Sequence, residues 1–260
     1  MINVAVAGAV GRLGSLIVKN VVENSAIHLV QAFDIQCVGS DAGEEAGAGR
    51  TGVKITDASG IDELDADVLI DFTAPDSAVK NIEVASKKGV PVVVGTTGFS
   101  EEQKKQIEEY CQKIPAVVSP NFSVGVNVFW KIIEYATRFL GDYDIEIVEK
   151  HHKFKKDAPS GTAIKIAEVA SSILKEQGKD RHIVYERSGE RKDDEITVLA
   201  IRGGDVAGEH TVYYLGMGEK IEITHAAGSR QAFAGGAIMA ARWVVDKSPG
   251  LYSMNDVLGF

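Results

Sequence analysis

Cysteine is almost absent: the 260-residue chain holds two, Cys37 and Cys111, in unlike contexts. They form no CxxC pair and no cluster with histidine, so neither a disulfide framework nor a cysteine zinc site is expected. Two reduced thiols in a cytoplasmic protein is the reading that remains. Long apolar runs are lacking as well. No stretch approaches the roughly 20 residues that span a bilayer, and Met1-Ile2-Asn3-Val4 opens without a basic region or a signal-length apolar core. No membrane partner is expected. An excess of basic charge is missing too: 28 Lys and Arg stand against 37 Asp and Glu, a formal net charge of -9. A general nucleic-acid binder would show a basic face instead. What is present, 45% hydrophobic and 25% charged residues, is an ordinary globular balance that can bury a core in one large or two modest domains.

The first half alternates short apolar runs with helical stripes. Ile2 to Ala7, His28 to Asp34, Ala66 to Phe72, Val90 to Val94 and Val117-Val118 read as strands. Between them, Val10 to Asn24, Asp76 to Lys88 and Ser100 to Gln112 read as helices. Repeated strand–helix units imply a parallel sheet covered on both faces. The second half changes character. A helix over Val124 to Leu140 leads to a strand at Ile145 to Lys150, and a helix from Gly161 to Lys175 precedes three alternating runs, Ile196–Ile201, His210–Leu215 and Lys220–Thr224. Gly203-Gly204-Asp205 and Gly216-Met217-Gly218 carry hairpin turn chemistry. The expected fold is α/β: a Rossmann-type parallel-sheet domain, residues 1–122 with a returning helix and tail at 231–260, plus a smaller α+β domain with a mixed open sheet at 123–230.

The first strand ends in Gly8-Ala9-Val10-Gly11-Arg12-Leu13-Gly14 and opens a helix. Glycine there lets the backbone turn sharply against a pyrophosphate, whose oxygens take the N–H groups of the helix start. Alone the motif is weak, because glycine-rich turns also serve packing. Asp34 closes the second strand, 20 residues past Gly14, where a carboxylate accepts hydrogen bonds from ribose hydroxyls. Together they favour a dinucleotide. A carboxylate repels a 2′-phosphate, and Ile35 and Gln36 supply no positive charge, so NADH is the expected cofactor; Arg12 leaves NADPH open. Gly95-Thr96-Thr97-Gly98 and Ser119-Pro120-Asn121-Phe122 follow successive strands, at the sheet edge where ligands of such folds bind.

The sharpest constellation runs from Glu149 to Ala163. Four lysines and two histidines fall within residues 150 to 156, a local cationic site in an anionic chain. Such a site suits a small polyanion. Ser160 is a good N-cap, and the N–H groups of Gly161 and Thr162 with the Thr162 hydroxyl would face a carboxylate. Histidine titrates near working pH and can pass a proton; lysine can do so beside other cations. A solvated basic turn with a routine cap is the bland alternative. A metal reading fails for want of further ligands at suitable spacing.

His151-His152-x-x-Lys155-x-Asp157-Ala158-Pro159-Ser160-Gly161-Thr162-Ala163 resembles the signature of the dihydrodipicolinate (4-hydroxy-tetrahydrodipicolinate) reductase family. Gly8–Gly14, Gly39–Glu44, Gly95–Gly98, Asn121–Asn127, Arg202–Asp205, Gly208–Thr211 and His225–Arg230 carry the resemblance across nearly the whole chain. It implies a cytoplasmic homotetramer whose second domains form the core, and NAD(P)H-dependent reduction of a cyclic dicarboxylate in lysine and diaminopimelate biosynthesis. It places Gly8, Ala9, Val10, Gly11, Arg12, Leu13, Asp34, Gly95, Thr96, Thr97, Ser119, Pro120, Asn121 and Phe122 at the cofactor. It makes His151 and Lys155 the proton-transfer residues, with His152, Ser160, Gly161 and Thr162 at the substrate. Ile35 stands where family members often carry a basic residue beside the ribose. Another dehydrogenase of this fold, acting on an amino acid or polyol, is the alternative, and a non-catalytic cofactor sensor a more distant one.

Overall fold

The computed structural model describes all 260 residues, Met1–Phe260. Its contacts divide the chain into two units, Met1–Val124 with Arg230–Phe260, and Gly125–Ser229. No helix is long and apolar enough to cross a membrane.

Strands and helices are numbered along the whole chain. In the first unit, β1 (Ile2–Ala7), β2 (Ile27–Phe33), β3 (Ile55–Thr56), β4 (Val68–Asp71), β5 (Val92–Val94), β6 (Pro115–Val118) and β12 (Gly250–Tyr252) form one parallel sheet in the order β12-β6-β5-β4-β1-β2-β3. Order reverses beside β1, the position where open α/β sheets leave a crevice at their carboxyl ends. Side chains alternate across β1. Val4 and Val6 join the core beneath α1 (Gly14–Val22) and α7 (Gln231–Val244), whereas Ala5 and Ala7 join the core beneath α3 (Pro75–Lys88) and α4 (Glu101–Cys111). Ile17, Val21, Ile70, Ile82 and Val93 are fully buried in these cores, each contributing about 1.5–3 kcal/mol relative to exposure.

Helix ends follow local chemistry. Ser100 and Gln103 make a reciprocal capping box at α4, and Gly89 ends α3 in a left-handed conformation that a side chain would resist. In α7 a Cβ on Gly236 would collide with the Phe122 carbonyl oxygen, so this helix passes tightly against the Phe122 backbone.

The second unit holds α5 (Val124–Phe139), α6 (Gly161–Glu176) and a mixed five-stranded sheet of β7 (Asp144–His151), β8 (His182–Val184), β9 (Glu195–Arg202), β10 (Gly208–Gly216) and β11 (Glu219–Ala227). Their order is β11-β10-β7-β9-β8, with β10 antiparallel to both neighbours and the rest parallel. Ile145, Ile147, Ile196, Val198, Val212 and Tyr214 form the core with Phe129, Ile133, Ile166, Ala170 and Leu174. On the opposite face Leu199 and Ile201 remain exposed; Ile221 is exposed on the core side of the edge strand β11, where it pairs with Tyr214.

Gly216-Met217-Gly218 does join an antiparallel pair, β10 and β11. Gly203-Gly204-Asp205 does not. β7 lies between β9 and β10, and the connection crosses its end, where Gly203 N–H donates to His151 O and His152 N–H to Val206 O. The chain does reverse there, but it forms no hairpin, because β7 is inserted between the two strands and such long-range pairing leaves no local mark. The first helix also starts later than its apolar stripe suggests, at Gly14, because Gly8 to Leu13 are consumed in turns.

Candidate active site

In the first unit the sequence brings its predicted cofactor residues to the carboxyl edge of the sheet. Gly8 sits at φ +78, and a Cβ there would meet the Phe72 carbonyl oxygen at 2.5 Å. A Cβ on Gly14 would strike the Gly8 carbonyl. The turn is therefore wound tightly on β4's end, and only glycine permits it. Gly11 differs: a Cβ there would meet only the Gly8 oxygen, at 3.2 Å, so its outer side is open. No side chain caps α1, whose N-cap position is Leu13. The first N–H groups of a helix have no partners in its own ladder, so this end suits a phosphate. These features fit a dinucleotide.

Asp34, at the end of β2, accepts the Val10 N–H at 2.9 Å with Oδ2 and the Gln36 N–H at 3.0 Å with Oδ1. It thereby stitches the glycine turn to the next loop, and each oxygen retains a lone pair for a ribose hydroxyl. Arg12 is exposed, and Ile35 is 76% exposed.

Thr96 is placed by a residue that sequence reading passed over. Asp71, fully buried at the end of β4, accepts from Thr96 Oγ1 at 3.1 Å, Thr73 Oγ1 at 2.8 Å, Thr73 N–H at 3.1 Å and Asn81 Nδ2 at 2.7 Å. Burial pushes its carboxyl pKa up against these hydrogen bonds. The Gly95 N–H donates to the Asp71 carbonyl at 2.9 Å, and a Cβ on Gly95 would run into the Phe72 ring. Phe72 in turn packs edge-on against Phe122 at 5.5 Å. Ser119 Oγ donates to the Asn121 carbonyl at 3.0 Å, and Asn121 Oδ1 accepts the Ser123 N–H at 2.9 Å. Thr97 and Pro120 lie on the exposed outside of these loops.

The second unit gathers the other predicted residues at the carboxyl end of β7. Strand register does this. Glu149 and His151 share one face of β7, Arg202 lies opposite His151 on β9, and His210 lies opposite Glu149 on β10. Glu149 is completely buried and accepts four hydrogen bonds: His151 Nδ1 at 2.6 Å and Arg202 Nη1 at 2.7 Å on Oε2, Arg202 Nη2 at 2.6 Å and the Ser160 N–H at 2.9 Å on Oε1. Burial alone would raise its pKa, but bonds from His151, Arg202 and Ser160 outweigh that and bring it to about 2.

Ser160 caps α6 by accepting the Ala163 N–H at 3.3 Å. Gly161, the first residue of that helix, faces open space where a Cβ would be. Lys155 Nζ donates to both carboxylate oxygens of Asp157, at 2.8 and 2.7 Å. His152 leaves the sheet: its N–H bonds Val206, its ring lies 6.4 Å from Phe154, and its buried Nδ1 has no partner. Glu149, Arg202 and His210 were visible in the motifs but carried no role, because only strand register shows that they converge.

Two family models match almost end to end: dihydrodipicolinate reductase, N-terminus, over residues 2–122, and dihydrodipicolinate reductase, C-terminus, over residues 125–258. The chain belongs to the dihydrodipicolinate reductase family. A 4-hydroxy-tetrahydrodipicolinate reductase of Archaeoglobus fulgidus is 55% identical to it, over 98% of this chain and 99% of that one. Another, from Methanosarcina barkeri, is 51% identical over the full length of both. Among solved structures, a dipicolinate-bound dihydrodipicolinate reductase from Paenisporosarcina sp. TG-14 superposes with a TM-score of 0.77 at 26% identity, covering 97% of each chain. An amine dehydrogenase from Mycobacterium smegmatis shares the fold alone, at TM-score 0.65 and 13% identity. This reductase is thus an oxidoreductase with a nucleotide-binding Rossmann-type domain.

Proposed function

We propose that this chain reduces 4-hydroxy-tetrahydrodipicolinate to tetrahydrodipicolinate with a reduced nicotinamide dinucleotide, a step toward diaminopimelate and lysine. One observation carries the reading at the level of chemistry: a proton-bearing His151, the cationic Lys155 and an α6 start open at Gly161 lie in one small unit. A ring with two carboxylates needs such a set, one cation and one helix terminus to hold the anions and an acid to supply a proton.

Once the 4-hydroxyl has left as water, the ring carries a conjugated imine, and the bound dinucleotide would supply the hydride that reduces it. The residues do the rest. Gly8 to Leu13 and Asp34 hold the nucleotide, with Gly95 to Thr97 and Ser119 to Phe122 at its nicotinamide end. Gly161, Thr162, Ser160 and His152 hold the substrate carboxylates, and His151 with Lys155 delivers the proton. Asp34 and the uncharged Ile35 favour NADH over NADPH. The helix-free face of the five-stranded sheet, with Leu199 and Ile201 exposed, supports a homotetramer built on that face. The division of contacts into Met1–Val124 with Arg230–Phe260 and Gly125–Ser229 supports a dinucleotide domain at 1–122 and 231–260 and a substrate domain at 123–230, and a biosynthetic reductase of this kind belongs in the cytoplasm.

The test is oxidation of NADH and of NADPH coupled to the condensation product of aspartate semialdehyde and pyruvate. Turnover with either cofactor, competitively inhibited by pyridine-2,6-dicarboxylate, is expected. Activity on an amino acid or polyol in its place would sink the reading.

A further inference from the structure

The role of Glu149 deepens the reading above and rests on His151 as the group that moves the proton. A fully buried carboxylate ordinarily has to be matched by charge and by hydrogen bonds at every lone pair, and Glu149 is. Its four hydrogen bonds, from three residues, are not equivalent. Arg202 grips both oxygens through its two terminal nitrogens, at 2.7 and 2.6 Å, and its Nη2 also donates to the Asp157 carbonyl at 2.7 Å. The third bond comes from the ring of His151, and the fourth from the backbone of Ser160, the residue that caps α6.

We propose that Glu149, its charge balanced by Arg202, is the positioning residue of the site: through one oxygen it fixes the His151 ring with Nδ1 as donor and Nε2 as the exchanging atom, and through the other it anchors the start of α6 beside it. Two further observations agree. Gly208 on β10 keeps a side chain off Nε2, since a Cβ there would stand 3.0 Å from that nitrogen. The carboxylate stays ionised at any working pH, since its partners bring it to about 2, and so it holds the tautomer without competing for the proton.

Arg202 has a separate consequence. An unbalanced Glu149 would favour the charged imidazolium and slow release of the proton; a Glu149 without charge would favour the neutral ring and starve the reaction of acid. The pair therefore tunes His151 in opposite senses. Next to the ring lies His210 on β10, with ring centroids 5.3 Å apart, and His210 in turn feels the charges of His225 and Lys155. None of these touches Nδ1 of His151.

The experiment follows the histidine directly. Nitrogen NMR of the ring, assigned with His151→Asn, gives its tautomer and titration midpoint without any need for turnover. Wild type is expected to show Nδ1–H in the neutral form. Glu149→Gln is expected to lower the midpoint, and the alkaline limb of the kcat profile with it, by about one pH unit, the range a close opposite charge produces. Arg202→Gln is expected to raise both by a similar amount. Should Arg202→Gln not fold, Arg202→Lys, which keeps the charge and loses the fork, is expected to leave the midpoint near that of wild type while raising KM for the ring diacid. Glu149→Asp keeps charge but retracts it, and is expected to lose Nδ1–H dominance. Unmoved midpoints and an unchanged tautomer in the Glu149 variants would overturn the proposal and leave Glu149 a packing residue. Failure of the underlying reading looks different: His151→Asn would keep wild-type turnover and its alkaline limb.

Discussion

The Ser160 hydroxyl stands 2.9 Å from His210 Nε2 while it accepts the Ala163 N–H that starts α6. His210 is thereby tied to the helix end that is proposed to hold substrate. Burial, reinforced by the nearby His151, pushes its pKa down from 6.5 to about 4. The unfolded chain takes up a proton as pH falls below 6.5, and the folded chain refuses it until about 4. Stability is therefore complete above the first value and declines toward the second, by roughly 3 kcal/mol at most. Urea midpoints measured from pH 7 to pH 4 are expected to fall in wild type and to fall much less in His210→Gln.

A second acid loss lies below it. Glu149 has a folded pKa of about 2 against an ordinary 4.5, so the stability it contributes is full above 4.5 and disappears as pH drops toward 2. Unfolding followed by near-ultraviolet circular dichroism is expected to show this lower step in wild type and to lose it in Glu149→Gln.

Gly161→Ala separates binding from folding. A methyl there meets nothing within 4 Å, and alanine favours a helix over glycine by about 0.5–1 kcal/mol. The melting temperature is expected to hold or rise slightly. KM for the ring diacid is expected to rise about tenfold, because the methyl stands where a carboxylate must approach. An unchanged KM would remove Gly161 from the substrate site.

Gly8→Ala is the contrasting case. The left-handed φ of +78 and the Phe72 carbonyl both oppose a side chain. Loss of about 2 kcal/mol or more is expected from combined strain and overlap, with weakened NADH binding in calorimetry.

Lys155 is held by both oxygens of Asp157, whose own carboxylate is 62% exposed. An exposed ion pair of this kind is worth about 0–1 kcal/mol. On the proposed reading a substrate carboxylate competes with Asp157 for this cation, so Asp157→Asn is expected to lower KM for the diacid by about two- to fivefold in steady-state kinetics.

Much of this was legible in the residues. The parallel sheet follows from β-branched runs such as Val92–Val94 separated by helical stripes, and the glycine turn, Asp34 and the Ser160 cap are local signals that a sequence displays openly. What stayed hidden depends on pairing between distant segments. Glu149, Arg202 and His210 meet only because β7 lies between β9 and β10, a register that no single stretch encodes. The brief strands β3, β8 and β12 were missed because two or three residues show no periodicity. Asp71 was missed because a lone acidic residue after an apolar run is common, and its four donors come from three separate places in the chain.

On the proposed reading Asp34 has two tasks, holding a ribose and tying two loops together. Replacing it to change nucleotide choice would strip the Val10 and Gln36 amides of their acceptor, so the very turn meant to receive the new nucleotide would slacken. Redesign toward the phosphorylated dinucleotide should leave this carboxylate alone and begin one residue later, at the outward-facing Ile35, where an arginine can be added without unpicking anything already tied.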